Sequence, residues 1–212
     1  MNNKNAVILL DGIFPKRSLL KSILNTKPYL ICADGAANKL FKTKVIPDII
    51  IGDLDSIEPD IMLKYIKKNV PVMKIFDQET TDFEKCILYC EEHNFSNITV
   101  IGVIGDRTDH NLNNFSVVKR HHERLNITLY DEHLKINFIK NSVSFKYKPG
   151  EIVSLLPFPK AENITTDGLL YPLRNESLEL GKREGTLNFA TKSNIKIKFG
   201  KGDLILFIKH FL

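Results

Sequence analysis

Hydrophobic and polar positions follow two different patterns along the first 130 residues. Short apolar runs that are rich in β-branched residues have the length of buried strands. They occupy Ala6–Leu10, Tyr29–Ala33, Asp48–Ile51, Val70–Ile75, Ile98–Val103 and Ile127–Tyr130. The stretches between them mix apolar residues with lysines and other polar residues at helical spacing, which predicts amphipathic helices. These predicted helices cover Lys16–Asn25, Ala36–Phe41, Pro59–Lys68, Asp82–His93 and His110–Leu125.

The regular exchange of strands and helices predicts an α/β domain, a Rossmann-like and mostly parallel sheet with helices on both faces. After about Glu132 the pattern changes to short, often alternating apolar segments between Gly, Pro, Asn and Lys. These segments are Lys135–Ile139, Ser142–Tyr147, Glu151–Leu156, Ile164–Leu170, Ser177–Leu180, Thr186–Ala190, Asn194–Phe199 and Asp203–Ile208. They favour an antiparallel β-sandwich or barrel. We therefore predict two domains, residues 1–132 and residues 133–212.

The charge distribution divides the chain at the same place. Residues 1–132 contain 17 Lys and Arg against 18 Asp and Glu, whereas residues 133–212 contain 13 against 7. The chain's net charge of +5 is therefore the sum of −1 in the first part and +6 in the second, and the basic second part indicates an anionic ligand or substrate. The excess is modest for a dedicated nucleic-acid-binding protein, and the second part lacks an aromatic and basic pattern for base stacking.

The apolar runs and the cysteines bear on the compartment. The first run, Ala6–Leu10, is too short for the core of a secretory signal and far too short to cross a bilayer. Cys32, Cys86 and Cys90 make an odd number, which without a signal sequence is typical of reduced thiols. Cys86 and Cys90 lack the further ligands of a metal site. We expect a cytoplasmic protein that binds neither membrane nor nucleic acid.

Aspartates follow nearly every strand of the predicted parallel sheet. Ligands of such sheets bind at the carboxyl ends of the strands. The segments at these ends are Asp11-Gly12, Asp34 to Asn38, Asp53 to Ser56, Asp77 to Asp82 and Asp106 to His110. Because Asp also caps helices and builds turns, each segment alone has an ordinary structural explanation. Five of them at one edge of a sheet indicate a binding site.

Three of these carboxylates are candidate ligands of Mg²⁺. Asp53 and Asp55 are two residues apart, so in an extended segment both side chains point to the same side. Hard oxygen ligands of this kind suit Mg²⁺, which also binds substrate phosphates. Asp82 begins a predicted helix, where it suits a metal ion and the positive helix end equally well. The sequence has no glycine-rich phosphate motif, so Arg107 is the candidate cation for phosphate oxygens.

Other polar residues of the last two helices carry weaker signals. Thr81 and Glu84 have the spacing of a capping box. His110, at a predicted helix start, is more often structural than catalytic in such a position. His121 and His122 are expected at the surface.

Taken in order, several segments resemble the thiamine pyrophosphokinase (thiamine diphosphokinase) family. The matching segments are Ala33 to Asn38, Pro47 to Ser56, Thr81 to Phe83, Gly102 to His110, Thr166 to Leu173 and Gly185 to Asn188. The resemblance extends from about residue 6 to the end of the chain. It implies an α/β domain that binds ATP and Mg²⁺, followed by a β-sandwich that binds thiamine and forms a homodimer with active sites between protomers. The implied reaction transfers a diphosphoryl group from ATP to the hydroxyl of thiamine, giving thiamine diphosphate and AMP.

The resemblance also implies roles for individual residues. It assigns Mg²⁺ to Asp53, Asp55 and Asp82, and places Gln78 near the attacking hydroxyl. Since an amide does not titrate, Gln78 would orient the hydroxyl rather than deprotonate it. The nucleotide and metal site would include Asp34, Arg107, Asp109 and His110, with Asp109 a further catalytic candidate. The thiamine pocket would include Tyr171, Thr186 and Asn188.

The chain departs from the common family pattern at three positions. Ala36 and Asp106 stand where the family has the second glycine of a pair, and Leu187 stands where a serine often precedes the asparagine. We expect the Cβ of Ala36 to restrict phosphate approach and Asp106 to add negative charge. Two alternative functions stay open. One is a diphosphokinase of another heterocyclic alcohol, such as a pterin, and the other is a nucleotide-binding regulator without catalysis.

Overall fold

The structure, a computed structural model, describes residues 4–140 and 142–212. They form two compact units, of which the first ends at Glu132 and the second runs from His133 to Phe211. The strands of the first unit are β1 Lys4–Leu9, β2 Tyr29–Ala33, β3 Ile49–Gly52, β4 Val72–Lys74, β5 Phe95–Ile101 and β6 Asn126–Tyr130. Its helices are α1 Arg17–Leu24, α2 Ala36–Phe41, α3 Pro59–Ile66, α4 Asp82–Glu92 and α5 Thr108–His121.

The sheet of the first unit is entirely parallel. Its strand order is β4-β3-β2-β1-β5-β6. The chain moves outward from β1 to β4, and then returns to the other side of β1 to form β5 and β6. Right-handed crossovers in these two directions place α1 to α3 on one face and α4 and α5 on the other. This confirms the predicted α/β sheet, and it puts the topological switch point between β1 and β5.

Apolar strands and half-apolar helices explain this arrangement. Ile8, Ile31 and Ile50 lie in the three central neighbouring strands and have no exposed surface, as β-branched residues of a sheet covered on both faces should. Pro59 opens α3, where its missing N–H costs no helical hydrogen bond. The fully buried Tyr65 of α3 donates its hydroxyl to the carbonyl oxygen of Ala37 at 3.3 Å, which fixes α3 against α2.

The second unit consists of antiparallel strands. They are β7 Leu134–Ile139, β8 Ser142–Lys146, β9 Ile152–Asp167, β10 Arg174–Glu179, β11 Gly185–Phe189, β12 Asn194–Lys198 and β13 Lys201–Lys209. The long strand β9 pairs with β13 and β12 along one side and with β11 and β10 along the other. On its other edge, β13 pairs with β7, and β12 likewise pairs with β8. The antiparallel second part of the prediction is confirmed.

Strand β9 corrects one detail of the prediction, which divided this segment into two strands. Pro157 and Pro159 lie between the two predicted strands, and proline cannot donate to a strand ladder. The strand instead continues and shifts its phase at Asn163, whose φ is +58°. Val153 before the shift and Ile164 after it are both fully buried in the same apolar core. The shift acts as a β-bulge that bends one strand around that core.

Helices α4 and α5 are joined by charged side chains. The guanidinium of Arg120 donates to both carboxylate oxygens of Glu84, at 2.8 and 2.6 Å. The ring of His121 lies 3.3 Å from Glu84 and 3.1 Å from Glu91. His121 and His122 are 4 % and 3 % exposed, so their expected surface position was wrong. A solvent-facing pattern and a charge-filled helix interface look alike in sequence.

The capping box at the start of α4 forms only in part. The backbone N–H of Glu84 donates to the hydroxyl of Thr81 at 3.4 Å, as predicted. The Glu84 side chain bonds to Arg120 on α5 instead of turning back to the N-cap. Glu84, which the local pattern assigned to a cap of its own helix, therefore connects α4 to α5. The first turns of both helices contain candidate site residues.

The Glu84→Gln variant should lose about 1–3 kcal/mol of unfolding free energy at pH 7, because the bond to Arg120 is charge-assisted. That bond lowers the pKa of Glu84, against the opposing effect of partial burial. A depressed native pKa stabilises the fold above the ordinary glutamate pKa and is lost as pH falls through the native value. The difference from wild type should therefore shrink below about pH 4. Urea unfolding at both pH values measures it.

The matched control for this prediction is Glu92→Gln, because Glu92 is an exposed glutamate of the same helix. It should leave the unfolding free energy within about 0.5 kcal/mol of wild type. Equal losses in the two variants, or a loss at Glu84 that is the same at both pH values, would contradict the assigned role of the Arg120 bond.

Candidate active site

Three carboxylates converge at the carboxyl end of the parallel sheet. Asp34 follows β2, Asp53 follows β3 and Asp82 is the first residue of α4. Each of them offers an oxygen atom within 4.8 Å of the other two. We call this set the carboxylate cluster. Its donors are all hard carboxylate oxygens, which fits Mg²⁺ and does not favour a soft metal.

Gly52, the last residue of β3, makes the carboxylate cluster sterically possible. A Cβ atom at this position would lie 2.6 Å from the Cβ of Asp34 and 3.2 Å from Oδ1 of Asp82. Any side chain at residue 52 would therefore push two members of the cluster apart. The glycine allows the ends of β2, β3 and α4 to approach one another.

Asp34 is the buried member of the cluster, with 1 % of its surface exposed. Its carboxylate accepts hydrogen bonds from the backbone N–H groups of Ser56 at 3.1 Å and Ile57 at 3.0 Å. Burial raises the pKa of Asp34, these two bonds oppose the rise, and repulsion from Asp82 and Asp53 adds to it. A divalent cation at the cluster would relieve that repulsion.

Asp53 and Asp55 do not lie on an extended segment, so the geometric basis of their predicted pairing was wrong. Strand β3 ends at Gly52, and Leu54 adopts a left-handed φ of +64°. The resulting turn lets the N–H of Asp55 donate to Oδ1 of Asp53 at 3.3 Å. The exposed Asp55 carboxylate accepts from the Ser56 hydroxyl at 2.7 Å and lies outside the carboxylate cluster.

Lys85 is a candidate site residue that the sequence pattern did not indicate. Its side chain is 3 % exposed, and its ammonium lies 3.1 Å from Oδ1 of Asp82 and 3.8 Å from Oδ2 of Asp53. Partial burial raises the pKa of Asp53, but hydrogen bonds, the strongest from the N–H of Asp55, together with the Lys85 ammonium lower it overall. The only sequence signal was the three-residue spacing from Asp82, which also suits a solvated helix pair.

A cavity of about 470 Å³ lies beside the carboxylate cluster, at the switch point between β1 and β5. Its lining combines residues that follow β1, β2, β3 and β5 with residues of α2 and the beginnings of α4 and α5. The lining includes Asp11, Gly12, Gly35, Lys39, Ser56, Asp82, Phe83, Gly105, Asp106, Arg107, His110 and Asn111. The Lys39 ammonium binds Oδ1 of Asp11 at 2.9 Å and the carbonyl oxygens of Asp11 and Gly12 at 2.8 and 2.9 Å. Lys39 thus fixes the loop after β1.

The loop after β5 places the predicted Arg107 at the cavity. Its guanidinium forks onto Asp109, with Nε at 3.2 Å from Oδ1 and Nη2 at 2.6 Å from Oδ2. This bond lowers the pKa of Asp109 to about 2. His110 and Asp106 also line the cavity, whereas Gln78 lies exposed in the loop between β4 and α4.

Two asparagines of α5 hold the same loop through partners that spacing along the chain did not indicate. The side chain of Asn111 accepts from the N–H of Gly105 at 2.8 Å and donates to its carbonyl oxygen at 2.9 Å. Asn114 donates to the carbonyl oxygen of Val103 at 2.7 Å. These bonds occupy backbone groups that no strand or helix satisfies.

Two of the three departures from the family pattern can be placed against this cavity. Ala36 is fully buried in the apolar core beneath α2, while Gly35 lines the cavity. The Cβ of Ala36 therefore does not face this cavity, and its expected restriction of phosphate approach stays a prediction. Asp106 is exposed at the cavity, where it adds negative charge as expected.

The predicted thiamine residues lie together in the second unit. Asn188 is 7 % exposed, and its side chain accepts from the N–H of Tyr171 at 3.0 Å and donates to the Tyr171 carbonyl at 2.7 Å. It thereby holds the backbone of a residue that is itself 65 % exposed. Thr186 is exposed nearby on β11. Leu187, the third departure, is exposed, has a φ of +55° and donates its N–H to the Ser154 hydroxyl at 3.1 Å.

Two further observations bear on the setting of the protein. Among the helices of the described chain, none combines the length and apolarity that crossing a bilayer requires. Cys32, Cys86 and Cys90 are unpaired and buried, and burial raises the pKa of each thiol. The thiols are therefore poor nucleophiles and poor metal ligands.

Comparison with known proteins gives consistent matches. The family model "Thiamin pyrophosphokinase, catalytic domain" matches residues 20–129, and "Thiamin pyrophosphokinase, vitamin B1 binding domain" matches residues 135–204. Thiamine pyrophosphokinase 1 of Oryza sativa is 28% identical over 91% of this chain and 82% of its own length. Thiamin pyrophosphokinase 1 of Caenorhabditis elegans is 28% identical over 84% of this chain and 78% of its own.

Solved structures show the same fold. Thiamine pyrophosphokinase from Bacillus subtilis has a TM-score of 0.83 at 23% identity and covers 99% of this chain and 100% of its own. Yeast thiamin pyrophosphokinase has a TM-score of 0.84 at 23% identity, with 99% of this chain and 86% of its own covered. The catalytic-domain model alone matches more than half of the residues. The chain therefore belongs to the thiamin pyrophosphokinase family.

Proposed function

We propose that this protein transfers a diphosphoryl group from ATP to the hydroxyl of thiamine and releases AMP. Its family and the names of its curated relatives support this activity. The observation that carries the proposal is the carboxylate cluster beside the cavity at the switch point of a parallel sheet. The match to a vitamin B1 binding domain favours thiamine over a pterin alcohol. The retained carboxylates argue against a regulator without catalysis.

The cavity is proposed to hold ATP, with its phosphates directed toward the carboxylate cluster. Asp53 and Asp82, with Asp55 from the neighbouring turn, would hold Mg²⁺. The buried Asp34 would support them, because it binds the backbone that follows Asp55. Mg²⁺ bound there supplies positive charge for the phosphate oxygens. Arg107 would share this role, since its guanidinium can turn part of its donor set from Asp109 to a phosphate.

The reaction then depends on positioning more than on covalent help from the protein. The thiamine hydroxyl has to lie in line with the β-phosphorus of ATP. Gln78, in the exposed loop before α4, is proposed to orient that hydroxyl. His110 and Asp109 are proposed to complete the nucleotide side of the site. If a proton acceptor is needed, a carboxylate of the cluster is the candidate.

Tyr171, Thr186 and Asn188 are proposed to bind thiamine. The exposed Tyr171 ring offers an aromatic face to a cationic heterocycle. We further propose a homodimer in which these residues face the active site of the partner chain, and a cytoplasmic location. The exposed Tyr171 and Leu187 support the first, and the three unpaired thiols support the second.

The direct test incubates the protein with ATP, Mg²⁺ and thiamine and separates the products by chromatography. Equal amounts of thiamine diphosphate and AMP are expected. A parallel reaction with a hydroxymethyl pterin serves as the substrate control. Turnover of the pterin without turnover of thiamine would show that the substrate is a pterin alcohol. Release of ADP in place of AMP would show that a single phosphoryl group is transferred. Binding of ATP without any product would favour the regulator.

The Asn188→Asp variant should raise the KM for thiamine more than it lowers kcat. Aspartate keeps the oxygen that accepts from the N–H groups of Tyr171 and Phe189. It loses the donor to the Tyr171 carbonyl and sets a negative charge against that oxygen. The expected cost is about 1–3 kcal/mol in unfolding free energy. Steady-state kinetics with thiamine varied, together with urea unfolding, measures both effects.

A suitable control for Asn188 is Asn194→Asp, which changes an exposed asparagine of the same unit. It should leave the KM for thiamine unchanged. If Asn188→Asp affects only stability and leaves that KM at the wild-type value, then Tyr171 is not part of the thiamine pocket.

A further inference from the structure

Lys85 occupies an unusual place for a lysine. Among the buried side chains of residues 4–140 and 142–212 it is the only lysine or arginine. Four of its five buried companions on α4 are apolar or thiol side chains, namely Phe83, Cys86, Ile87 and Cys90, and the fifth is Tyr89. Burying an ammonium among such groups is costly unless opposite charges compensate it. A lysine serving only the helix would reach solvent.

The compensation comes from the carboxylate cluster. The ammonium donates to Oδ1 of Asp82 at 3.1 Å and lies 3.8 Å from Oδ2 of Asp53. It therefore contacts two of the three proposed metal-binding groups from the protein side. One ammonium against three carboxyl groups still leaves an excess of negative charge at the cluster, so the contact does not replace a divalent cation.

We propose that Lys85 is a positioning residue of the divalent-cation site. Its ammonium holds one oxygen of Asp82 and draws in Asp53, so that their remaining oxygens are fixed for the cation before it binds. The inference rests on the proposed function, because the cation site is part of it. Groups that orient metal ligands in this way change metal affinity by about 10- to 100-fold when they are removed.

The test compares Lys85→Met, Lys85→Gln and Lys85→Arg with wild type. Mn²⁺ is the probe, and its binding to the nucleotide-free protein is measured by electron paramagnetic resonance. Lys85→Met should raise the Kd for Mn²⁺ about tenfold or more, and Lys85→Arg should restore most of the affinity. Thermal unfolding is used to check that each compared variant is folded. Lys67→Met, at an exposed lysine after α3, is the matched control and should bind Mn²⁺ like wild type.

A second readout separates positioning from a purely structural role. The Mg²⁺ concentration that gives half-maximal activity should rise in Lys85→Met, while saturating Mg²⁺ should restore much of the rate. If Lys85→Met does not fold, Lys85→Gln decides, since its shorter side chain lacks the ammonium and should also weaken Mn²⁺ binding. A folded neutral variant with wild-type or tighter Mn²⁺ binding overturns the inference, because Lys85 then fills space or repels the metal.

Failure of the proposed function would look different. In that case wild-type protein would form no thiamine diphosphate from ATP and thiamine, whatever the Mn²⁺ affinities of the variants. A clear loss of Mn²⁺ binding in Lys85→Met would then still establish the positioning role at a cation site of another reaction. Normal thiamine diphosphate formation by wild type, with unchanged Mn²⁺ binding in the folded neutral Lys85 variants, would overturn the inference and support the proposed function.

Discussion

Replacing Asp53 by asparagine should lower kcat/KM by on the order of 10²- to 10³-fold. The proposed site relies on Asp53 for charge at the metal ion, and such stabilisation of a phosphoryl-transfer transition state amounts to several kcal/mol. Asparagine keeps an oxygen for the N–H of Asp55, and the Lys85 ammonium keeps its 3.1 Å contact with Asp82. The fold should therefore survive, with a melting temperature within a few degrees of wild type.

Initial rates of AMP release, measured while Mg²⁺ is varied, test this prediction. Asp60→Asn is the matched control, because Asp60 is an exposed aspartate in the first turn of α3. It should retain wild-type rates. A folded Asp53→Asn protein that works within threefold of wild type would show that the carboxylate cluster does not hold the metal ion of the reaction.

The sheet of the first unit was predictable from sequence because its strands are buried on both faces. Such strands appear as continuous apolar runs, and the runs at Tyr29–Ala33 and Ile127–Tyr130 match or nearly match the observed strands. The second unit was harder, since β9 shifts its phase at Asn163. A bulge changes which face each residue occupies, so the local alternation indicates two strands where one bent strand exists.

The position of the carboxylate cluster at the carboxyl end of the sheet was also predictable, but its membership was not. Carboxyl-end loops of a parallel sheet lie at one edge, so aspartates in them were expected to meet. That Asp34 joins Asp53 depends on the room left at Gly52, and that Asp55 stays outside depends on the turn at Leu54. Both are contacts between strands or unusual backbone angles, which spacing along the chain does not encode.

The burial of Lys85 was likewise not predictable from the sequence, because it depends on charged partners in other elements. Polarity along a helix predicts which residues face solvent, and a lysine among acids is normally assigned to that face. Here the buried position is favourable only because Asp82 and Asp53 arrive from separate elements. A residue whose burial depends on distant partners is recognised only once those partners are placed.

The Gly12→Ala variant should lose at least about 1–3 kcal/mol of unfolding free energy, the usual cost of overpacking. Its Cβ would lie 2.3 Å from the carbonyl oxygens of both Gly102 and Ile104. The same two oxygens accept from the N–H groups of Gly12 and Ile13, at 3.0 and 2.6 Å. The loops after β1 and β5 therefore have to separate, and the proposed ATP cavity lies between them.

Loss of ATP binding should accompany the loss of stability in Gly12→Ala, and calorimetric titration with ATP measures it beside urea unfolding. The neighbouring Gly105→Ala is the informative comparison, because its Cβ would meet only the Cα of Gly12, at 3.2 Å. It should cost less than about 1 kcal/mol and keep most of the ATP affinity. If Gly12→Ala keeps its ATP affinity as Gly105→Ala should, the cavity tolerates movement of these loops. If only Gly12→Ala fails in stability and in ATP binding, the close contact between the ends of β1 and β5 is what shapes the nucleotide site.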